Sequence, residues 1–196
     1  MKIFWYRGDI TKETPKGLLA IVNAANPRLL GGGGVDGCIH RAAGPGLREA
    51  CHRLPEQAPE IRCYPGEAKT TEGFDLPAQY VIHTVGPIFP AGRGAMFFGE
   101  QRLDNAEAET LLAKCIRSSL HEAVHFGVTE IVFPAISCGV YGCYVPVFAR
   151  IARQVLEEQP LWGNIEEVRF VLFTETELEE FKLGWAGFTE GEESEG

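Results

Sequence analysis

The chain has 196 residues, 45% apolar and 23% charged, and 27 acidic residues against 18 Lys and Arg give a formal charge of −9; that is the size of one domain able to bury a core without staples. No apolar run approaches the ~18 residues of a membrane span, Arg7 and Asp9 interrupt the opening stretch before it can act as a leader, and the six Cys include no C-x-x-C pair, so a cytoplasmic protein with free thiols and no membrane partner is expected. The acidic balance also argues against nucleic acid, which needs a basic stripe, and any phosphate held here is held mostly by main-chain amides.

In chain order, residues 3–6 and 18–22 read as strands, and a Gly-rich stretch then leads into a helical pattern over 35–53 that Gly44-Pro45-Gly46 interrupts. Residues 67–71 form a weaker strand candidate and 80–85 a stronger one. A long helix follows over 104–126, with Leu111, Leu112, Cys115, Ile116, Ser119, Leu120 and Ala123 along one face. A strand at 130–133, a helix at 147–158, a strand at 167–173 and a helix at 175–185 complete the series. Residues 190–196 hold four Glu and no base, so 188–196 read as an acidic disordered tail behind a domain over 1–187. Strands alternating with helices imply an α/β sandwich whose mostly parallel sheet is covered on both faces, with ligands at the carboxyl ends of the strands.

Three loops occupy such positions. After the first strand, Gly8-Asp9-Ile10-Thr11 places a carboxylate that can accept from an exocyclic amine such as adenine's. After the second, seven of the chain's 23 Gly fall between positions 31 and 46, and consecutive glycines ahead of a helix at Val35 let main-chain N–H groups and the helix dipole close on an anion. After the strand at 130–133, Pro134-Ala135-Ile136-Ser137-Cys138-Gly139-Val140-Tyr141-Gly142 again mixes Gly with a hydroxyl and an aromatic. Two such loops can grip two phosphates.

Other motifs carry less. Gly32-Gly33-Gly34-Val35-Asp36-Gly37 satisfies G-x-G-x-x-G, yet residues 23–30 separate it from the strand and the stretch around Glu56 is Pro-rich rather than a second strand, so a dinucleotide dehydrogenase does not fit. His121-Glu122-Ala123-Val124-His125 is a formal H-E-x-x-H. At 100° per residue, however, both histidines lie roughly 180–220° from Leu112 on the buried stripe, so they are expected in solvent and no metal site is assigned. Ser137 lacks the leading Gly of a nucleophile elbow, and Cys138 is expected to be a packed thiol. Asn23 is expected to satisfy its own backbone in a turn; His52 and His83 are expected to do likewise or to line a wall, whereas His40, four residues after Asp36 on one helical face, can support that acid.

Taken together, Gly8-Asp9-Ile10-Thr11, Asn23-Ala24-Ala25-Asn26-Pro27, the run 31–46, His83-Thr84-Val85-Gly86-Pro87 and Ile136-Ser137-Cys138-Gly139-Val140-Tyr141-Gly142 resemble the macrodomain family in order and spacing over about residues 3–175. Asp36 after the glycines together with Asn26 is similar to the MacroD-type branch, whose members remove ADP-ribose from modified acidic side chains and deacetylate O-acetyl-ADP-ribose. The resemblance implies a three-layer α/β/α sandwich with a mixed, mostly parallel central sheet. It also implies a metal-independent hydrolase with no cofactor, acting on ADP-ribosylated proteins and O-acetyl-ADP-ribose.

Residue by residue, the resemblance implies that Asp9 and the Ile10 amide hold the adenine. Amides of Gly33, Gly34 and Val35 on one side and of Ser137, Gly139, Val140 and Tyr141 on the other hold the diphosphate. Tyr141 also packs on the distal ribose, Asn26 orients its hydroxyls, and Asp36 positions or deprotonates the attacking water, a contribution of ~10²–10⁴-fold for a general base. A substrate phosphate assisting the water, with Asp36 only orienting it, is the alternative within the family, and a non-catalytic ADP-ribose reader is the alternative outside enzymology. Cys38 and Cys138 replace the usual Ala and Thr, Cys143-Tyr144-Val145 precede Pro146 where an aromatic usually stands, and the segment 90–102, with Met96-Phe97-Phe98 among glycines, has no clear counterpart.

Overall fold

In a computed structural model of the chain, the residues described are 1–92, 103–158 and 162–187. The acidic stretch 188–196 and most of the segment 90–102 lie outside them. Six strands, β1 (Lys2–Arg7), β2 (Leu19–Ala25), β3 (Ala68–Glu72), β4 (Tyr80–Val85), β5 (Glu130–Phe133) and β6 (Glu167–Leu172), form one sheet in the order β1-β6-β5-β2-β4-β3. Every pairing is parallel except β3 with β4, so the sheet is mixed and mostly parallel, as expected.

Helices α3 (Asn105–His125), α4 (Val145–Glu157) and α5 (Glu175–Ala186) pack through Leu112, Ile116, Phe148, Phe170 and Phe181 on one face. Helices α1 (Gly34–Ala43) and α2 (Pro45–Arg53), with a 3₁₀ turn over Ile10–Lys12, cover the other through Leu29, Ile39, Leu47 and Val81. This is the three-layer sandwich. Gly44, at φ 75°, ends α1 and starts α2, which is the break that Gly44-Pro45-Gly46 implies. A full capping box, Asp104 with Glu107, starts α3.

Near the β1 edge, Arg169 is buried among Glu13, Glu130 and Glu167, each within ion-pair distance. Glu130 also accepts from the amides of Lys16 and Gly17. This pins the crossover between β1 and β2 to the sheet. His121 and His125 are exposed, as the helical phase predicts; their rings lie against Trp162 and Phe126, and the intervening Glu122 accepts from Thr70 Oγ1 at 2.5 Å.

Candidate functional site

Because β1, β6, β5, β2 and β4 are mutually parallel, their carboxyl ends share one edge of the sheet, and the loops leaving them form a continuous rim. Along it stand Asp9 after β1, Ser137 to Tyr141 after β5, Asn26 to Gly34 after β2, and Gly86-Pro87 after β4. The three loops singled out from sequence therefore meet in space.

The rim presents main chain. Gly33 is the N-cap of α1 and Gly34 follows at φ +58°. A Cβ built on Gly33, Gly34 or Gly139 would meet nothing within 4 Å, so the main chain is uncovered at all three, and at Gly33 and Gly34 it forms the N-terminus of α1. Ser137 holds φ +64°, which a non-Gly residue adopts at a cost of order 1–3 kcal/mol. Its hydroxyl donates to the Pro87 carbonyl at 2.8 Å and fills the space above Gly86, where a Cβ would sit 2.1 Å from it. The hydroxyl is thus turned inward and is not presented as a nucleophile. The Tyr141 carbonyl accepts from Phe89 N at 2.8 Å and Gly142 sits against Gly92, so the loop is braced from behind. Cys138 packs beside Cys143, and that hydrogen bond together with burial holds its thiol protonated.

Asp9 is exposed, and its Oδ1 accepts from the Thr11 amide at 3.0 Å and hydroxyl at 2.7 Å, capping the 3₁₀ turn. Ile10 sends its side chain into the core, leaving its main chain for the rim. Asn26 ties down its own loop, accepting from Arg28 N and donating to Gly31 O, both at 3.1 Å. Val35 is half-buried and Val140 is 71% exposed.

Asp36 lies at the floor of the rim, 4% exposed in the first turn of α1. Its Oδ1 accepts from Asn23 Nδ2 at 2.7 Å and lies 3.5 Å from His40 Nε2. The other oxygen, Oδ2, faces the glycines: a Cβ on Gly32 would sit 3.0 Å from it and 3.1 Å from Asn26 Nδ2. Burial raises the pKa of Asp36, opposed by the Asn23 hydrogen bond and then by His40, while burial lowers that of His40. One carboxylate oxygen is anchored and the other is presented beside Asn26, which is the disposition of a base or of a water-orienting acceptor.

Asn23 corrects the sequence expectation. It is not a turn residue: β2 continues through Ala24 and Ala25, and Asn23 is fully buried in its interior with its amide on Asp36. The signal for this was the apolar character of the residues on both sides of it. Behind it, donor atoms of His40, Cys51 and His83 lie within 4.8 Å of one another, a cluster not seen in the sequence. His83 Nε2 is 2.9 Å from Thr71 Oγ1 and 3.5 Å from Cys51 Sγ, its Nδ1 faces the Asn23 amide at 3.1 Å, and burial pushes the Cys51 thiol up to about 12. Hydrogen bonds account for the His83 and Cys51 contacts in this cluster.

The Macro domain family matches residues 22–152. A macro domain-containing protein of Xanthomonas axonopodis pv. citri is 49% identical over 152 residues, 78% of this chain and 76% of the relative. The ADP-ribose glycohydrolase MACROD2 of Homo sapiens is 42% identical over 183 residues, 92% of this chain and 38% of that longer protein. Among solved structures, a mutant Oceanobacillus iheyensis macrodomain with ADPR superposes with a TM-score of 0.77 at 38% identity, covering 93% of this chain and 90% of that one.

Proposed function

The chain belongs to the Macro domain family, and from that premise we propose that it binds ADP-ribose and hydrolyses esters at the distal ribose, from mono-ADP-ribosylated Asp or Glu on proteins and from O-acetyl-ADP-ribose. The observation that carries the reading is the split use of the Asp36 carboxylate, with Oδ1 held by Asn23 and Oδ2 aimed past Gly32 toward Asn26.

The amides of Gly33, Gly34 and Val35 and of Ser137, Gly139, Val140 and Tyr141 take the diphosphate, oriented dipoles supplying most of the attraction in a chain of charge −9. Asp9, with the Ile10 amide, takes the adenine edge, and Phe173, 80% exposed just past β6 and next to the β1 exit, suits stacking on the base. Asn26 orients the distal ribose beside Asp36. Water then adds to the ester carbonyl, Asp36 receives its proton, the acyl–oxygen bond breaks, and the ribose oxygen leaves with a proton. Burial, by raising the Asp36 pKa, makes its carboxylate a stronger proton acceptor than an exposed one.

The test is release of ADP-ribose from a substrate auto-modified on acidic side chains, for wild type and Asp36→Asn, with ADP-ribose binding measured by calorimetry. Turnover is expected to fall by ~10²–10⁴-fold in Asp36→Asn with binding changed by less than about fivefold. Wild type that binds ADP-ribose and releases none is a reader; an Asp36→Asn protein with unchanged turnover removes the acid from the mechanism.

A further inference from the structure

We propose that Asn23, His83 and Thr71 form a buried chain of positioning residues that fixes the direction of the Asp36 carboxylate from three neighbouring strands. The proposal rests on the reading of Asp36 given above.

Sheet register builds the chain. Asn23 on β2 pairs directly with His83 on parallel β4, and Thr71 on antiparallel β3 pairs with Val81, one diagonal step from His83, so all three side chains stand on the sheet face that α1 and α2 cover. Exposure is 0% at Asn23 and His83, 4% at Asp36 and 8% at Thr71. In an apolar layer, a polar row persists only where its members satisfy one another.

The distances assign the protons. Asn23 Nδ2 lies 2.7 Å from Asp36 Oδ1 and 3.1 Å from His83 Nδ1; the carboxylate sets the amide's orientation, because the opposite one would aim Oδ1 at another acceptor oxygen. His83 Nδ1 is therefore the acceptor and Nε2 carries the hydrogen, which is donated to Thr71 Oγ1 at 2.9 Å. The amide is held this way even though its Oδ1 is left buried without a partner among the described residues. That orphaned acceptor is the mark of an orientation imposed by the contacts on Nδ2: Asp36 sets which way the amide faces, His83 holds it there, and the amide dictates where Asp36 Oδ2 is presented.

The ionisable groups around Asp36 are His40 on its own helix, Cys51 on α2 and His83 on β4, with Arg48 of α2 acting on His40. Burial, and then the charge on His40, push the His83 pKa down to about 3, so the ring stays neutral at physiological pH and can accept at Nδ1. Without that acceptor the Asn23 amide is held by Asp36 alone, and its donor to the carboxylate is no longer fixed. A loosened donor favours the protonated acid.

Two substitutions at one position test this. His83→Leu removes the acceptor, whereas His83→Asn places an amide oxygen near the Nδ1 position. For wild type and both variants, kcat, KM, the pH–rate profile, the ADP-ribose Kd and the unfolding midpoint are measured. His83→Leu is expected to lose at least tenfold in kcat with Kd within threefold, and its acidic limb moves to higher pH. His83→Asn recovers kcat to within about threefold and returns the limb.

A folded His83→Leu protein with wild-type kcat and an unmoved limb overturns the proposal, as does an Asn variant no better than Leu. If His83→Leu does not fold, Asn23→Leu is read the same way, with the limb moving up because the donor to Asp36 is gone; an unmoved limb there counts against the chain. Failure of the underlying hydrolase reading shows differently, as absence of turnover in wild type or as turnover that survives Asp36→Asn.

Discussion

Replacing Gly33 by Ala separates binding from stability. The backbone at Gly33, φ −92° and ψ −179°, is open to Ala, and the added Cβ meets no atom within 4 Å. Reduced freedom of the unfolded chain then stabilises by ~0.4–1 kcal/mol, while exchanging Gly for Ala at an N-cap costs a similar ~0.5–1 kcal/mol. The net change is about zero, within roughly 0.5 kcal/mol, or about 2 °C in unfolding midpoint for a chain of this size. The open space in front of that glycine is, however, where the proposed binding mode brings a phosphate oxygen to the amides of Gly34 and Val35. Loss of one charge-assisted hydrogen bond is worth ~1.5–3 kcal/mol, so the ADP-ribose Kd should rise about 10- to 150-fold. Calorimetry with ADP-ribose, run beside adenosine as a ligand without phosphates, isolates the effect. A Kd within twofold of wild type, or an equal loss for adenosine, refutes the main-chain anion site.

Two further outcomes concern the fold. The folded pKa of His83 is lowered to about 3 from an ordinary 6.5, so its contribution is complete above pH 6.5 and is lost as pH falls below it, by ~1.4 kcal/mol per unit; urea unfolding of wild type should show about 2 kcal/mol less stability at pH 5 than at 6.5 from this group, and His83→Asn should lack that part of the slope. Arg169→Met leaves the buried Glu130 without its cation and takes one partner from Glu13 and from Glu167, which keeps Lys16 at 3.5 Å, a loss of about 3–5 kcal/mol at pH 7, again read by urea titration.

The sandwich was legible because its periodicities are strong. The face of α3 holding Leu112, Cys115, Ile116 and Leu120 is the buried face, and the glycines at 44 and 46 mark a real break. Antiparallel β3 was the weakest strand in the sequence for a physical reason. Two of its residues are only partly buried and a third is exposed, and such an edge strand does not need a continuous apolar run. The loops were legible because runs of glycine have few purposes. Asn23 was misplaced because Asn before Ala-Ala-Asn-Pro reads as the start of a turn, which outweighed the apolar residues flanking it; the pairing of β2 with β4 carries the strand past it. His83 escaped for a related reason. A histidine in an apolar strand gives no sign of which neighbours will face it, and Thr71 lies 12 positions away on another strand.

The order of the sheet has a consequence for biogenesis. Among the described residues β1 pairs with β6 alone, Lys2 lying beside Glu167, so the earliest made of these six strands waits for a partner made 165 positions later. At ~5–20 residues per second that delay is roughly 8–33 s. Throughout it the loop carrying Asp9 lacks the strand pairing that positions it, and the rim stays unfinished until the closing strand docks.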